Sequence, residues 1–343
     1  MSNRVTLKDI AREAGVHVST VSRALDPNSN ISLTNEVSSR VRKAAKKLGY
    51  RPNRLAAGLR TNRSMSIGVM IPDIANTMFP PIVRGIESVL EPLGYATIVV
   101  NTDNDPDREH RLTEVLRERG VDGIINVAAM RSDPGLSNVV DQGTPVVTLN
   151  RRLDQSPIPY VVSDEKSGIN LILKHLFELG HRSVGHIAGP KEFSTGNARA
   201  MAYKEACEQL GLAESSTVIS YAKSFDETEG QRCVLELLQN CPTITAIVCA
   251  NDRLAFGAYL GLQAEGLSIP EDVSVTGFND MPMLDLVRPK MTTIRVQKFE
   301  AGRASAELLL KSIRGDNHGA VGTVLPVELK VRDSTSEPRE TPD

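Results

Sequence analysis

From Ser66 onward the sequence alternates short apolar runs with amphipathic stretches, and the alternation occurs twice. This pattern is typical of parallel βαβ units, in which helices cover both faces of a buried sheet. The first set of predicted strands covers residues 67–71, 96–101, 123–127, 146–149 and 160–162. The second set covers residues 184–187, 218–221, 246–249 and 273–278. The sequence therefore predicts an α/β body of two doubly wound parallel-sheet lobes.

Polar and aromatic side chains follow these predicted strands. Ligands of doubly wound sheets bind outside the carboxyl ends of the strands, so two facing lobes predict a ligand cleft whose closure changes the lobe angle. Carboxylates, amides and an arginine suit sugar hydroxyls, and Phe79 can stack on a sugar face. The alternative is that the Asp and Asn side chains only cap the next helix. The candidate ligand residues are Asp73, Phe79, Asn150, Arg151, Asp164, Asp252 and Asn279.

Charge divides the chain into two parts. Residues 1–63 hold 13 Lys and Arg against 4 Asp and Glu, which leaves 27 against 38 for residues 64–343. A basic module on an acidic body indicates a polyanion-binding segment on a carrier domain. A merely solvated basic surface is the alternative.

The basic segment begins and ends with capped helices. Thr6 and Asp9 have the spacing of a capping box, and Gly15 stands where a left-handed residue would end the first helix. Thr34 can cap a further helix, which Gly49 ends.

A short helix is predicted between these two, over residues 18–25. Val21 and Leu25 face inward, and the helix follows the first after a tight turn, which is helix-turn-helix spacing. A short helix with small polar side chains suits a major groove. The side chains that face outward are Ser19, Ser22 and Arg23.

Three segments, TLKDIAREAGVHVSTVSRAL, KKLGYRPNRLA and SIGVMIPDI, stand in one order at fixed spacing. Together they resemble the lactose/galactose repressor family, and the resemblance extends from Thr6 to about Ser334. It implies a small all-α helix-turn-helix head on a body like the periplasmic sugar-binding proteins. The implied function is a DNA-binding transcriptional repressor controlled by a sugar-like effector between the lobes.

The resemblance also implies roles for residues of the head. Val18 and Ser19 would read base edges, and Arg23 would contact a base or a phosphate. His17 stands where the family has a capping Ser; it would cap less well or contact a phosphate, and we favour the phosphate contact. Solvent exposure alone also explains two of the remaining polar residues, Thr20 and Ser22. The residues expected to position the DNA backbone are Thr6, Thr20, Ser22 and Thr34.

Residues 51–64 resemble the family's hinge, which becomes helical on the operator. Leu59 holds the position of the leucine that wedges into the central base step, and Asn53 and Arg54 are the other expected DNA contacts. Gly58 departs from the pattern and should weaken a hinge helix by about 1 kcal/mol relative to Ala.

The implied domains are a DNA-binding domain at 1–50, a hinge at 51–64, an effector-binding and dimerisation domain at 65–336 and a disordered tail at 337–343. Lobe 1 is expected to take about 65–162 with 290–322, and lobe 2 about 163–289 with 323–336. The chain would then cross between lobes near Ser163, Pro289 and Thr323.

A second departure concerns the effector-binding arginine. Arg199 precedes Tyr203 by four residues, whereas the arginine usual in the family precedes the matching aromatic by about six, where this chain has Asn197. Either Arg199 or Asn197 is therefore expected to contact the effector.

Other chemistry is not indicated. Residues 103–114 have acidic residues at calcium-loop spacing but Arg108 in place of the required Gly, and His181 and His186 are not spaced as metal ligands. The cysteines show no C-x-x-C spacing, and no catalytic motif, cofactor motif, export signal or long apolar run is found. We expect a non-enzymatic cytoplasmic protein without metal or cofactor.

The expected partners are a palindromic operator duplex, a small sugar or sugar derivative, and a second copy of the chain, since one head reads few bases. A solute-binding protein and a sugar-modifying enzyme are the alternatives. The basic head argues against the first and the missing catalytic groups against the second.

Overall fold

The computed structural model of the chain describes residues 5–25, 33–50, 63–316 and 322–339. The chain divides into two units, Met1–Ser64 and Met65–Asp343. They are named here the head and the body, and each is described separately.

The head consists of helices packed on a small apolar core. Its helices are α1 (Leu7–Ala14), α2 (Val18–Leu25) and α3 (Asn35–Lys47). Gly15 ends α1 at a φ of 61°, a left-handed conformation that glycine adopts without steric cost. The buried residues of the core are Ile10, Ala11, Ala14, Val21, Ala24, Val41, Ala44 and Ala45.

Lobe 1 of the body is a parallel sheet in the order β11-β5-β4-β3-β1-β2. Its strands are nearly continuous apolar runs, as expected for a sheet covered on both faces. They are β1 (Ser66–Ile71), β2 (Ala96–Asn101), β3 (Gly123–Asn126), β4 (Val146–Leu149), β5 (Tyr160–Ser163) and β11 (Gly322–Leu325). The lobe's helices are α4 (Phe79–Leu90), α5 (Pro106–Glu118), α6 (Pro134–Asp141) and α11 (Lys298–Arg314).

Lobe 2 has a sheet in the order β12-β10-β9-β8-β6-β7, in which β12 alone is antiparallel to its neighbour. Its strands are β6 (Val184–Ala188), β7 (Thr217–Tyr221), β8 (Ala246–Cys249), β9 (Ser274–Asn279), β10 (Thr292–Arg295) and β12 (Glu328–Lys330). Its helices are α7 (Glu165–Glu178), α8 (Ser194–Gln209), α9 (Glu227–Asn240) and α10 (Asp252–Ala264). The predicted fold class is confirmed.

Two of the three crossings between lobes differ from those expected. The chain leaves lobe 1 after Ser163, but it returns between Arg295 and Lys298 rather than near Pro289, because β10 pairs in parallel with β9. The third crossing follows Leu325 rather than Thr323, since β11 runs to that residue in lobe 1. The boundaries at 290 and 323 were therefore wrong by a few residues.

The three crossings lie side by side. The residues that flank the first and third, Ser163 and Leu325, are paired neighbours, and the N–H of Asp164 donates to the carbonyl of Leu325 at 2.9 Å. Arg295 and Glu328, next to the second and third crossings, are also paired. The segment from β11 to β12 is thus hydrogen-bonded to both other crossings.

In each lobe a pair of helices lies in very close contact. A Cβ built on Gly85 of α4 would lie 2.1 Å from the Phe299 carbonyl oxygen of α11, and one on Gly302 would lie 2.1 Å from the Ile82 carbonyl oxygen. In lobe 2, α9 and α10 meet in the same way at Gly230 and Gly257. Glycine is required at these helix–helix contacts because backbone atoms of the neighbouring helix fill the space that a side chain would occupy.

Part of the expected C-terminal tail is packed on lobe 2. Arg339 forms an ion pair with Asp272 at 3.2 Å, and Pro338 lies so near Gly180 that a Cβ built on this glycine would be 3.5 Å from the proline ring. The expectation of a disordered tail from residue 337 was therefore wrong for residues 337–339, which the ion pair and this contact hold against the lobe.

Candidate functional site

The start of α1 is held by Asp9. Its carboxylate accepts hydrogen bonds from the backbone N–H of Thr6 at 2.9 Å and from the Thr6 hydroxyl at 2.7 Å. Thr34 caps α3, since its hydroxyl accepts from the N–H of Val37 at 3.4 Å. Both threonines thus have capping contacts within the head.

His17 takes the capping position before α2. Its Nδ1 accepts from the N–H of Ser19 at 3.3 Å and lies 2.8 Å from the Ser19 hydroxyl. Because Nδ1 accepts from a backbone N–H, the ring hydrogen is placed on Nε2 and the hydroxyl donates. The imidazole therefore caps α2, which argues against weaker capping, the alternative for His17 that was not favoured.

The outer face of α2 is polar. Ser19 and Arg23 are exposed, Val18, Thr20 and Ser22 are half-buried, and Val21 and Ala24 face the core. This helix therefore offers short polar groups and one guanidinium on a single surface. The expected hinge contacts, Asn53, Arg54 and Leu59, lie outside the described residues.

A cavity of about 360 Å³ opens at the carboxyl ends of the strands, between the two lobes of the body. Lobe 1 contributes Pro72, Asp73, Asn76, Met78, Phe79, Asp103, Asn104, Asn150 and Arg151. Lobe 2 contributes Thr195, Arg199, Ser224, Phe225, Asp226, Asn251, Arg253 and Asn279.

Arg151 lies in the wall of lobe 1 and forms no ion pair among the described residues. Its Nη1 donates to the Ala128 carbonyl at 2.9 Å, its Nη2 donates to Asn104 Oδ1 at 3.0 Å, and Phe193 stacks on the guanidinium at 3.6 Å. Nε is buried without a partner. Burial lowers the pKa of Arg151 to about 9. The residue therefore retains a free donor at the cleft.

Arg199 lies in the opposite wall and is almost fully buried. Its Nε donates to Glu165 and its Nη1 to the Ala250 carbonyl, while the guanidinium stacks on Phe278 at 3.7 Å. Burial raises the pKa of Glu165, and the Arg199 charge opposes this rise. These contacts hold Arg199 rigidly and leave Nη2 with no partner among the described residues.

Asn279, at the end of β9, offers an acceptor to the cleft. Its Oδ1 is buried without a hydrogen-bond partner. Its backbone φ is 118°, a value that residues with a side chain rarely adopt. Strain of this kind persists at positions that the surroundings fix. Asn150 likewise lines the cavity in a left-handed conformation, at a φ of 66°.

The structure places three expected ligand residues away from the cavity lining. Asp164 caps α7 by accepting from the N–H and hydroxyl of Ser167 at 2.9 and 2.7 Å. Asn197 donates to the Met201 sulfur at 3.4 Å, since its position on α8 directs it away from the cleft. Of the two alternatives, Arg199 is the residue at the cleft.

Asp252 is the third of these residues. It is fully buried, and it accepts from the Thr293 hydroxyl at 2.6 Å and from the Met281 N–H at 2.8 Å. Asn251, one residue earlier, caps α10 and lines the cavity. Asp252 therefore joins α10 to the segments around β9 and β10.

Burial raises the pKa of Asp252 to about 7, from 3.8. The folded chain retains this proton up to pH 7, whereas the unfolded chain releases it near pH 4, so the associated stability is fully present below pH 4 and is lost as pH rises to 7. Replacing Asp252 with Asn should remove this loss. We expect the unfolding free energy of Asp252→Asn, relative to the parent, to rise by roughly 4 kcal/mol between pH 4 and pH 8. Urea unfolding across pH measures this, and a constant difference would contradict it.

Several cleft residues were not expected from the sequence. In lobe 2 these include Ser224, Phe225 and Asp226, which follow β7, and Arg253 on α10. The rule that ligand residues follow strands would have found the first three, because Tyr221 ends a predicted strand. Arg253 could not be found in this way, because it lies within a predicted helix and does not directly follow a strand.

Within the described part of the chain, no three His, Cys, Asp or Glu side chains are grouped to hold a metal ion. Among the same residues, no helix is both long and apolar enough to cross a membrane.

Two family profiles match the chain. One, for periplasmic binding proteins and the sugar binding domain of the LacI family, matches residues 64–332. The other, for bacterial regulatory proteins of the lacI family, matches residues 6–53.

Full-length relatives agree. The ribose operon repressor of Halalkalibacterium halodurans is 32% identical over 330 residues, which cover 96% of this chain and 97% of that protein. The lac repressor dimer bound to operator and the anti-inducer ONPF is 26% identical with a TM-score of 0.86, over 97% of this chain and 100% of that chain. The complex of the transcriptional regulator CelR with cellobiose is 30% identical with a TM-score of 0.74, over 96% and 100%. On these matches to both the head and the body, the chain belongs to the LacI family of bacterial regulatory proteins.

Proposed function

We propose that this protein is a sequence-specific DNA-binding transcription regulator, acting as a repressor, whose operator affinity is set by a sugar-like effector in the cleft. One observation carries the proposal: a single chain joins a helix-turn-helix head with an exposed polar second helix to a two-lobed body with a polar cleft. Effector binding would change the lobe angle and hence the operator affinity.

The cleft chemistry supports a polyhydroxylated effector. Arg151 and Arg199 offer donors, Asn279 offers an acceptor, and Phe79 and Phe225 provide aromatic faces. A hydroxyl group both donates and accepts, so it can satisfy each kind of group. The named relatives include a ribose operon repressor and a regulator bound to cellobiose, which supports a sugar or sugar derivative.

The DNA target we propose is a palindromic operator read by a homodimer. The similar lac repressor structure is a dimer on its operator. We propose residues 1–50 as the DNA-binding domain, 51–64 as the hinge and, because residues 337–339 pack on lobe 2, 65–339 as the effector-binding and dimerisation domain. Leu59 remains the proposed wedge into the central base step.

We further propose that the chain catalyses no reaction on its effector and acts in the cytoplasm, where its DNA target lies. The relatives that match are named as transcription regulators. Chemical change of a cleft-bound sugar, detected by NMR after incubation with the protein, would contradict the first point.

The test is a fluorescence-anisotropy titration with duplexes selected by the full-length protein from random DNA. We expect a palindromic consensus, an affinity that falls steeply with salt, and a shift in affinity on adding one member of a panel of sugars. Failure to enrich any sequence would overturn the DNA-binding proposal, and no response to any sugar would overturn the effector class.

Replacing Arg23 with Ala should weaken binding to the selected operator about 10- to 100-fold, since a guanidinium contact to a base is worth about 1–3 kcal/mol. Binding to random DNA should fall much less. Arg12→Ala is the matched control, because Arg12 is an exposed arginine on α1 and its replacement also removes one positive charge from the head. Equal losses for the two variants on both duplexes would assign Arg23 to phosphate contact alone.

A further inference from the structure

Arg253, a cleft residue without an expected role, is anchored on lobe 2 by Glu227. Its Nε and Nη2 donate to the two carboxylate oxygens of Glu227 at 2.8 and 2.7 Å. The hydrogen bonds from Arg253 lower the pKa of Glu227. Such bidentate pairing fixes the plane of the guanidinium and leaves Nη1 to bind elsewhere.

Nη1 reaches lobe 1, where it donates to Oδ2 of Asp73 at 3.0 Å. Asp73 is itself fixed, because its Oδ1 accepts from the N–H of Ala75 at 2.9 Å. Each partner is therefore ordered on its own lobe before the two meet. The Arg253 and Asp73 side chains are 24% and 33% exposed, so dissolved ions can reach the pair and weaken it as the salt concentration rises.

Among the described ion pairs this one alone joins the two lobes. The other direct contacts between lobes include the N–H of Arg131 to the Glu192 carbonyl, and the N–H of Arg152 to the Ser194 hydroxyl, both at 3.0 Å. The Arg131 guanidinium also donates to the Lys191 carbonyl at 3.1 Å, and Phe193 stacks on Arg151 at 3.6 Å, but none of these contacts is an ion pair. The Asp73–Arg253 pair instead acts on the loop that leads from β1 to Phe79.

We propose that Arg253 is a positioning residue of the cleft: held by Glu227, it binds Asp73 and keeps the β1–α4 loop of lobe 1 close to lobe 2 before any effector arrives. Part of the closure is then formed in the free protein. The β1–α4 loop would then lose less conformational freedom when an effector binds, and this consequence rests on the function proposed above.

The inference can be tested on the full-length protein without effector or DNA. Nitroxide labels at Asp107→Cys in lobe 1 and Thr228→Cys in lobe 2 report the cleft width by double electron–electron resonance. Both positions are exposed, and the four native cysteines are buried. Mixing the labelled protein with excess unlabelled protein reduces the signal from pairs of labels that lie on different chains.

We expect Asp73→Asn and Arg253→Gln each to give longer and broader distances, and the double variant to match the singles, because all three lose the same contact between the lobes. Arg303→Gln, which removes an exposed arginine paired within α11, is the matched control and should leave the distances unchanged. Raising NaCl from about 0.05 to about 0.5 M should widen the parent cleft but not that of Arg253→Gln.

Unchanged distances in both single variants, or a parent cleft that does not respond to salt, would overturn the role of Arg253. The salt response of the parent is measured without any variant at Asp73 or Arg253, so that outcome stands even if a substitution impairs folding. Because the readout involves neither DNA nor sugar, a failed operator titration would leave this inference standing.

Discussion

Replacing Gly257 with Ala is expected to lower the free energy of unfolding of the body by about 3 kcal/mol or more. The new Cβ would lie 2.0 Å from the Glu227 carbonyl oxygen and 2.7 Å from the Gln231 backbone nitrogen, so α9 and α10 must separate. Without that contact, Ala in a helix would stabilise the protein by about 1 kcal/mol. The steric overlap and the helix propensity predict opposite signs for the change in the free energy of unfolding. Urea unfolding followed by circular dichroism distinguishes them.

Gly135→Ala is the control for this experiment. Gly135 also lies in a helix, but the nearest atom to its added Cβ is Nδ1 of the His110 side chain at 3.1 Å. A side chain can rotate away, so we expect a change within about 1 kcal/mol. If Gly257→Ala were as stable as the parent, the close contact of α9 and α10 would be wrong.

Replacing Arg199 with Met should have the largest effect on the cleft. The substitution leaves Glu165 buried without its cation, which costs about 3–5 kcal/mol of stability. It also removes the guanidinium donor from the cleft wall. We expect the effector response of operator binding, measured by anisotropy with the sugar found in the panel, to weaken at least about 100-fold.

The double variant Arg199→Met with Glu165→Gln separates the two losses. A neutral amide no longer requires a buried counter-charge, so most of the unfolding free energy should return. The effector response should stay weakened to the same extent, because the donor is still missing. Recovery of both stability and response would show that Arg199 serves only to neutralise Glu165.

Much of the fold could be predicted because buried parallel strands appear in the sequence as continuous runs of apolar residues. The run at 246–249 coincides with β8, and the run at 96–101 coincides with β2. The strands beyond residue 290 lack this signal. β10 begins with two threonines, and β11 and β12 are short, partly exposed edge strands, so their assignment to lobes depends on pairing that no local pattern reveals.

The site was predicted in part for a related reason. Polar residues after strands reach the cleft at Asp73, Asn150, Arg151 and Asn279, as the topology requires. The rule fails at Asp252 because helix geometry turns the residue after the cap toward β10. It also misses Arg253, whose long side chain reaches the cleft from within α10.

The segment from β11 to β12 has a consequence for synthesis of the protein. It supplies an edge strand to each sheet, yet the ribosome makes it after every other strand. Neither lobe can therefore complete its sheet while residues 322–330 are still inside the exit tunnel, whereas the head has emerged long before. A nascent chain would present its helix-turn-helix first and its finished cleft last, so translation that stops near residue 320 would yield heads carried on two incomplete lobes.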